Sequence, residues 1–541
     1  MKKKYLPSII KIFLPIFLSI IFSHCGNSEV GKTNTEIKRD TSITEENAFS
    51  ELDLDSAKLE SYIAEHNVDE AAARQMRDFY NSRNYHFAWF TADGLSEQAR
   101  GFWNLHNSYV QSTKDSASYD KELHEIMQQL INDAEAIQLS PAELTLTELH
   151  LTQHFFDFSK YAYEGKVDPA ELQWHIPRKK INPVALLDSL VKTQPGKLEK
   201  WEPVNEEYRL LKEQLVRYNE IDKKGGWPII EMQEKVLKPG DSSASVVQLK
   251  QRLMAEGELA SADLSHVYTP GVEAAVKQAQ RRLGLADDGV VGPATVRELN
   301  VPVKERIKQM LVNLERMKWM PPKEEGTRLV ANIPDFKLHV YEGDREAFTM
   351  RIVVGTAGNS SVIFSDKLEY VVFSPYWNVP ASIVRNEILP AMQRNPNYLA
   401  NANMEQTGTR NGLPVIRQKP GGSNSLGRVK FIFPNNYNIY FHDTPAKHLF
   451  DRNDRAFSHG CIRLEQPQRL AEYLLQDETE WTTSAITDAM YAGTEKWIKL
   501  DEKVPVLITY FTSWVEDGVV HFRNDIYGHD KKMMARLFEN D

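Results

Sequence analysis

The chain has 541 residues, of which 41% are hydrophobic and 26% are charged. This length exceeds what one hydrophobic core organises, and the composition excludes a chain that is disordered throughout, so we expect several folded domains. The 65 basic and 75 acidic residues give a net charge of −10 with no concentrated basic region, which argues against a nucleic-acid partner.

The first residues carry the pattern of an export signal. A basic cluster at residues 2–4 precedes an apolar run at residues 9–22, which is short for a membrane-spanning helix. Cys25 follows this run and resembles the lipidated cysteine of a bacterial lipoprotein. We therefore predict that residues 1–25 are a lipoprotein-type signal and that the protein is periplasmic, anchored to a membrane of the cell envelope. An uncleaved membrane anchor is the alternative.

The next two segments differ in composition. Residues 26–48 are polar and rich in Ser, Thr, Asn, Lys and Glu, which predicts a disordered tether. In residues 49–235, apolar residues recur at helical spacing, which predicts a helical scaffold domain. Its tryptophans are interpreted as core residues and not as a sugar-binding platform. They are Trp89, Trp103, Trp174 and Trp201.

A small helical unit follows at residues 236–301. Its turn-forming start and apolar spacing predict three short helices. The segments LKPGD, VVQLKQRL and AVKQAQRRLGLADDGVVGPATVRELN resemble the small peptidoglycan-binding domain that is attached to cell-wall enzymes. That resemblance implies peptidoglycan glycan as a partner.

The remainder is predicted to be a connecting helix at residues 302–325 and a β-rich domain at residues 326–541. Runs of β-branched and aromatic residues, or of alternating apolar and polar residues, predict strands. These strands are 329–333, 337–341, 349–354 and 370–373. Within this domain, a helical stretch at 382–394 and a Gly-, Asn- and Pro-rich segment predict a helical and loop insertion at about 380–427 that caps a cleft. The predicted fold is thus multidomain α+β.

Two short segments of the β-rich domain carry reactive side chains. FHDTP contains His442, and SHGCIR contains Cys461, the only cysteine besides Cys25. A free thiol is only about 3% thiolate at pH 7, so a cysteine nucleophile needs a nearby histidine or a field that lowers its pKa. Strand alternation would put Tyr440 on the same face as His442, and His459 is too close to Cys461 in sequence to be presumed the base.

The backbone around the cysteine also suits catalysis. Gly460 permits close approach of a substrate, and amides beside Cys461 could form an oxyanion hole. Either segment alone is better explained structurally, because a buried cysteine is usually a small hydrophobe and most histidines satisfy local hydrogen bonds. Their occurrence together, in an exported chain behind a wall-binding unit, favours a catalytic site.

The combined segments are similar to a known family. IYFHDTP…RAFSHGCIRL resembles the L,D-transpeptidase family, and PYWNVPASIVRNEILP…SNSLGRVKFIFPNNYNIYFHDTP resembles its large, capped, multidomain branch, over roughly residues 50–535. The resemblance implies that Cys461 is the nucleophile, that His442 is the general base, and that the carbonyl of Asp443 orients the imidazole. Many members have Gly at the position of Asp443. The residues implied to shape the pocket are Tyr440, His459, Gly460 and Arg463.

The implied reaction needs no cofactor and no metal. Cys461 attacks the carbonyl of the third residue of a tetrapeptide stem, D-alanine leaves, and an amine of a neighbouring stem resolves the thioester into a 3-3 cross-link. Arg463 is suited to bind a stem carboxylate, and a structural salt bridge is the competing explanation.

Several alternatives remain open at this stage. Water in place of the amine would give an L,D-carboxypeptidase, and a protein lysine would give anchoring of an envelope protein. A second class is an inactive peptidoglycan-binding lipoprotein. A zinc site is the chemical rival, because nitrogen, oxygen and sulfur ligands lie near one another in sequence. These residues are His442, Asp443, His448, His459 and Cys461.

Overall fold

The computed structural model describes residues 37–115, 119–132, 139–194, 196–198, 201–260 and 265–538. The predicted signal, Cys25 and the first part of the predicted tether lie outside these residues. The disorder predicted for the rest of the tether was wrong, because residues 45–48 form a helix with Ala48 buried and the amide of Asp40 donates to the carbonyl of Asn81. Among the described residues, no helix has both the length and the apolar character to cross a membrane.

The predicted helical region is built from helices around an aromatic core. They are α1 (Glu45–Ala48), α2 (Ser56–Glu65), α3 (Glu70–Ser82), α4 (Glu97–Thr113), α5 (Lys121–Asn132), α6 (Pro141–Ser159), α7 (Pro183–Val191) and α8 (Glu206–Lys223). Helix α6 begins with a capping box between Ser140 and Glu143, with Pro141 in its first turn. Trp89 and Trp103 are buried in the core, as the sequence predicts.

Two short strands form a hairpin in this region, and a third strand of the region pairs with the neighbouring domain. They are β1 (Phe90–Thr91), β2 (Gly94–Leu95) and β3 (Trp174–His175). Strand β3 pairs in parallel with a strand of the β-rich domain, and Trp174 is buried in that domain's core, edge-on to Trp319. The predicted helical region is thus present, and residues 174–175 within its range join the neighbouring sheet.

The small unit contains the three predicted helices, α9 (Ala244–Glu256), α10 (Pro270–Arg282) and α11 (Pro293–Leu299), followed by the connecting helix α12 (Val303–Trp319). Its core is not self-contained. It continues into Tyr208 and Leu211 of α8 and into Val520 and Phe522 near the C-terminus. The unit is thus fixed to the rest of the protein by shared apolar packing.

The β-rich domain begins directly after α12. Its strands, including those of the cap, are β4 (Thr327–Asn332), β5 (Lys337–Glu342), β6 (Arg345–Gly355), β7 (Ile363–Phe373), β8 (Trp377–Asn378), β9 (Met404–Arg410), β10 (Leu413–Gln418), β11 (Val429–Ile432), β12 (Phe441–His442), β13 (Ala456–Ser458), β14 (Ile462–Leu464), β15 (Lys496–Thr509), β16 (Ser513–Glu516) and β17 (Val519–Phe522). The four predicted strands correspond to β4 to β7, and β5 and β6 form an antiparallel hairpin.

The main sheet closes on itself. Its order is β11-β12-β14-β6-β5-β4-β15-β7, and β7 also pairs with β11. Strand β3 adds to β7 and β13 adds to β6. Closure removes free sheet edges and gives a rigid frame, in which β12 and β14 lie side by side.

The remaining helices are α13 (Ala381–Ile383), α14 (Leu389–Arg394), α15 (Tyr398–Asn401), α16 (Pro467–Leu474), α17 (Thr483–Tyr491) and α18 (His529–Leu537). A π-helical turn, Val384–Ile388, joins α13 to α14, so the helical stretch predicted in the cap is present. The rest of the cap was predicted as loop, and this was wrong. It forms a three-stranded sheet, β8-β10-β9, which packs with the helices around a small core of its own.

Candidate active site

Cys461 lies in a tight loop between β13 and β14, and hydrogen bonds fix the shape of this loop. Ser458 Oγ donates to the carbonyl of Cys461 at 2.6 Å and accepts from the amide of Gly460 at 3.1 Å. From the connection after β6, the hydroxyl of Ser361 donates to the carbonyl of Gly460 at 2.7 Å. Gly460 has φ +115°, a backbone conformation that residues with a side chain adopt only with strain. The loop therefore presents Cys461 in one defined position.

The thiol of Cys461 is partly exposed, and its Sγ lies 3.5 Å from the carbonyl oxygen of Asn438. Burial raises the pKa of this thiol, although the amide and hydroxyl of Tyr440 and the charge of Arg463 work in the opposite direction. Of the two aids that the sequence analysis left open, a nearby histidine or a field that lowers the thiol pKa, the field does not prevail, because burial outweighs it. The resting group is a neutral thiol.

His442 is buried at the end of β12. Its Nδ1 lies 2.5 Å from the carbonyl oxygen of Asp443. A carbonyl only accepts, so Nδ1 carries the proton and Nε2 has a free lone pair. Burial, helped by the charge of Arg463, lowers the pKa of His442 to about 3. The imidazole is therefore neutral at pH 7 and able to accept a proton.

Strand register brings the predicted site residues together. Strands β12 and β14 are parallel, with Phe441 opposite Ile462 and His442 opposite Arg463. Because side chains alternate along a strand, the residues two positions earlier continue the same face. That face carries Tyr440, His442, Cys461 and Arg463. The rings of Tyr440 and His442 lie 5.7 Å apart between centroids.

The side chain of Asp443 has a structural task that the sequence analysis missed. Its Oδ1 accepts from Lys447 Nζ at 2.7 Å, and its Oδ2 accepts from the amide of Arg428 at 2.9 Å. The carboxylate packs so tightly on Gly427 that a Cβ there would lie 2.3 Å from Asp443 Cγ. Asp443 thus holds the start of β11 and, through its carbonyl, the imidazole of His442.

A second missed residue, Asn435, organises the loop before β12. Its Nδ2 donates to the carbonyls of Phe433 at 2.6 Å and Ile439 at 2.7 Å, and its Oδ1 accepts from the amide of Tyr437 at 2.9 Å. This loop supplies Asn438, whose carbonyl faces the thiol. A single Asn among turn residues carries little sequence signal for such a role.

His459 and Arg463 flank the cysteine in different ways. His459 is half-exposed, and its Nε2 lies 3.0 Å from Glu387 Oε1 on the cap. Arg463 is partly buried, and none of the acidic side chains that the structure describes lies within 4.0 Å of its guanidinium. The structural salt bridge that the sequence left open for Arg463 is therefore not formed with any described residue.

The amides beside the cysteine are not equivalent. The amide of Gly460 is engaged by Ser458 Oγ. The amide of Cys461 has no hydrogen-bond acceptor among the described residues. The predicted oxyanion donor is thus available at Cys461 but not at Gly460.

The residues of the zinc alternative do not converge. Asp443 is bound by Lys447 and by a backbone amide, His448 is exposed on a 3-10 turn, and His459 faces the cap. Over the described ranges, no group of three or more His, Cys, Asp or Glu side chains is arranged to hold a metal ion.

Family models match three parts of the chain. Residues 74–215 match "Scaffold domain", residues 242–299 match "Putative peptidoglycan binding domain", and residues 326–508 match "L,D-transpeptidase catalytic domain". Together with the mixed α+β fold, these matches show that the chain carries an L,D-transpeptidase catalytic domain, a peptidoglycan-binding domain and a helical scaffold domain, as the sequence predicts.

One curated relative is similar over part of its length. A Haemophilus influenzae protein named "Putative L,D-transpeptidase" is 30% identical over 254 residues, which cover 44% of this chain and 50% of that protein. The chain thus spans about half the length of this curated relative.

Two solved structures of L,D-transpeptidases are also similar. The one from Stackebrandtia nassauensis is 13% identical, with a TM-score of 0.22, over 52% of this chain and 96% of that chain. The one from Xylanimonas cellulosilytica is 15% identical, with a TM-score of 0.17, over 52% of this chain and 100% of that chain.

Proposed function

We propose that the protein is a murein L,D-transpeptidase that uses Cys461 as its nucleophile and His442 as its general base. The observation that carries this proposal is the shared face of β12 and β14, which lines up the neutral imidazole of His442 with the thiol of Cys461. A protonated histidine could not accept a proton, so the neutral state is the one that the chemistry needs.

In the first half-reaction, Cys461 Sγ attacks the carbonyl of the third stem residue while its proton passes to His442 Nε2. The Nδ1 contact with the carbonyl of Asp443 stabilises the imidazolium that forms. His442 then returns this proton to the leaving nitrogen, the carbon–nitrogen bond breaks, and D-alanine departs. The amide of Cys461 is placed to donate to the developing oxyanion.

In the second half-reaction, an amine of a neighbouring stem attacks the thioester. His442 removes a proton from the amine, the carbon–sulfur bond breaks, and the thiolate regains a proton. The product is a 3-3 cross-link. Water or a protein lysine in place of the stem amine gives the carboxypeptidase or protein-anchoring reaction by the same steps.

The accessory domains support action on the cell wall. The peptidoglycan-binding domain would hold glycan near the catalytic domain, and its shared core with α8 and β17 would keep the two in fixed relation. We propose a periplasmic location in the cell envelope, with a lipid on Cys25 and residues 26–36 as the tether.

The product of the isolated reaction tests this proposal. The protein from residue 37 onward is incubated with purified disaccharide-tetrapeptide, and products are followed by mass spectrometry beside a Cys461→Ala control. We expect a cross-linked dimer that has lost one D-alanine, and no dimer with the control. A tripeptide alone would assign the carboxypeptidase reaction, and no product from the unaltered protein would favour an inactive binding role.

A further inference from the structure

A cavity of about 710 Å³ lies between the helical scaffold, the end of α12 and the main sheet of the β-rich domain. One wall is the outer face of the sheet, where Val330 of β4 and Leu507 of β15 are paired in register. Their sequence neighbours are buried in the domain core, because side chains alternate along a strand. The opposite wall includes Tyr208 of α8 and Met317 of α12. Small-molecule sites commonly lie at such domain interfaces and have volumes of roughly 300–1,000 Å³.

The cavity is separate from the candidate active site. Cys461 lies between β13 and β14, and the strands β6 and β5 separate β14 from β4 in the main sheet. The residues that line the cavity include neither Cys461 nor His442. A ligand bound in the cavity would therefore leave the thiol uncovered, whatever reaction the thiol performs.

The lining carries more positive than negative charge, although the chain as a whole has a net charge of −10. Five of the lining side chains are lysine or arginine, and three are aspartate or glutamate. Three of the cations are paired with carboxylates, in the pairs Lys318–Glu315 at 3.0 Å, Lys323–Glu207 at 2.8 Å and Lys367–Glu324 at 3.2 Å. Lys179 and Arg328 remain, and no carboxylate that the structure describes lies within 4.0 Å of either cation.

Arg328 is the stronger indication of a ligand, because it is buried, with 7% of its surface exposed. Its guanidinium donates to the carbonyl of Gly343 and lies 4.4 Å from the centroid of the Tyr341 ring. Lys179 donates to the carbonyl of Pro203 at 3.1 Å. A carbonyl or a ring does not neutralise a cation, and a guanidinium has five N–H donors, so an anion would complete the pairing of Arg328.

A phenol on the scaffold side of the cavity also lacks a partner. Tyr163 lines the cavity and is 3% exposed, and its hydroxyl has no hydrogen-bond partner within the part of the chain that the structure describes. Burial raises the pKa of Tyr163, so the hydroxyl stays protonated and can donate. Buried polar groups are normally hydrogen-bonded, and an oxygen atom of a ligand would supply the missing acceptor.

We propose that this cavity is a binding site for an amphiphilic anion, an apolar body that carries one carboxylate or phosphate. The apolar body would lie between Val330 and Leu507 on one side and Met317 on the other, whose flexible side chain adapts to such a ligand. Arg328 would pair with the anionic group, and Lys179 would add to the positive potential. The ligand would contact the scaffold, α12 and the β-rich domain together, so its binding would stabilise their packing.

Calorimetric titration with three probes of equal chain length tests the proposal. The probes are dodecanoate, dodecyl phosphate and the neutral dodecan-1-ol, each used at pH 8 below the concentration at which it forms micelles. The protein is compared with Arg328→Gln, Lys179→Gln and Val330→Phe, which fills the cavity. Lys192→Gln is the matched control for Lys179→Gln, because Lys192 is exposed, pairs with Asp188 at 2.7 Å and is not part of the lining. Thermal unfolding without probe reports whether each variant folds.

We expect saturable binding of at least one anion, about 10-fold tighter than that of dodecan-1-ol, and a rise in Tm on binding. Arg328→Gln should weaken the anion about 10-fold, Lys179→Gln should weaken it less, and neither should change the binding of dodecan-1-ol. Val330→Phe should weaken all three probes, and Lys192→Gln none. Tighter binding of dodecyl phosphate would indicate a lipid phosphate as the natural ligand, and tighter binding of dodecanoate a fatty acid.

Three results would overturn the proposal. They are the absence of saturable binding, equal affinity for the anions and dodecan-1-ol, and unchanged affinity in Val330→Phe, which would place the probes elsewhere on the protein. If Arg328→Gln does not fold, Lys179→Gln and Val330→Phe decide together with the comparison of probes on the unaltered protein.

Discussion

The imidazole of His459 and the carboxylate of Glu387 meet at 3.0 Å, across the junction between the cysteine loop and the cap. His459 precedes Gly460 and Cys461, and Glu387 lies in the π-helical turn of the cap. Both side chains are about half-exposed, so the pair adds little to global stability, of the order of 0–1 kcal/mol. Its consequence is local, because it couples the position of the cap to the loop that presents the thiol.

We predict that Glu387→Gln loosens this junction without unfolding the protein. Amide hydrogen exchange should become faster in the cap and in residues 456–462, and the exchange of β4 to β6 should stay the same. Glu405→Gln is the matched control, since Glu405 pairs with Arg417 inside the cap sheet and does not touch the cysteine loop. Unchanged exchange at 456–462 in Glu387→Gln would show that the pair does not hold the two parts together.

The raised pKa of Cys461 predicts how the thiol reacts with an alkylating agent. Because the thiolate is the nucleophile, the alkylation rate at Cys461 should keep rising with pH above pH 9, where an ordinary cysteine approaches its plateau. Iodoacetamide labelling followed by mass spectrometry measures this rate. A rate that is flat between pH 6 and pH 8 would instead indicate a thiolate preformed by an ion pair with His442.

The variant Tyr440→Phe tests whether the hydroxyl of Tyr440 lowers the pKa of the Cys461 thiol. Its amide and its hydroxyl favour the thiolate, and Tyr440→Phe removes only the hydroxyl. The thiol pKa should therefore rise further, and alkylation at pH 8 should become slower than in the unaltered protein. Faster alkylation in this variant would mean that the phenol shields the sulfur and does not stabilise its charge.

Gly427 and Gly343 allow the effect of Asp443 to be separated from backbone strain. Both have positive φ, +63° and +57°, but a Cβ at Gly427 meets the Asp443 carboxylate, and one at Gly343 meets open space. We expect Gly343→Ala to cost about 1 kcal/mol of unfolding free energy through strain alone. Gly427→Ala should cost roughly 1–3 kcal/mol more and also lower kcat, because displaced Asp443 no longer orients His442. Equal effects of Gly427→Ala and Gly343→Ala on kcat would show that Asp443 does not orient His442.

Much of the fold was accessible from the sequence, because strong periodic signals report local structure. The strands β4 to β7 and the three helices of the peptidoglycan-binding domain follow from hydrophobic spacing. The sequence also contained a signal for the hairpin of β9 and β10, which we overlooked. Asn411 and Gly412 form a pair that is typical of a tight turn with positive φ. Strand β3 could not be found in this way, since two residues carry no period and their pairing is set by the distant β7.

The residues of the site were predictable from the sequence, but their protonation states were not. Its reactive residues were predicted from motif chemistry, and the structure brings Tyr440, His442, Cys461 and Arg463 onto one face. Their roles stay predictions. The protonation states could not be predicted, because they depend on burial and on Arg463, which only the folded sheet places beside the thiol and the imidazole.

Detection of the acyl-enzyme would show whether Cys461 carries the acyl group. The protein is mixed with an excess of disaccharide-tetrapeptide in the absence of other acceptors, quenched with acid, and measured intact and after digestion. We predict a mass gain equal to the donor minus D-alanine, located in the segment containing residues 456–463 and absent from Cys461→Ala. Release of D-alanine by Cys461→Ala at the rate of the unaltered protein, or an adduct on any other residue, would contradict it.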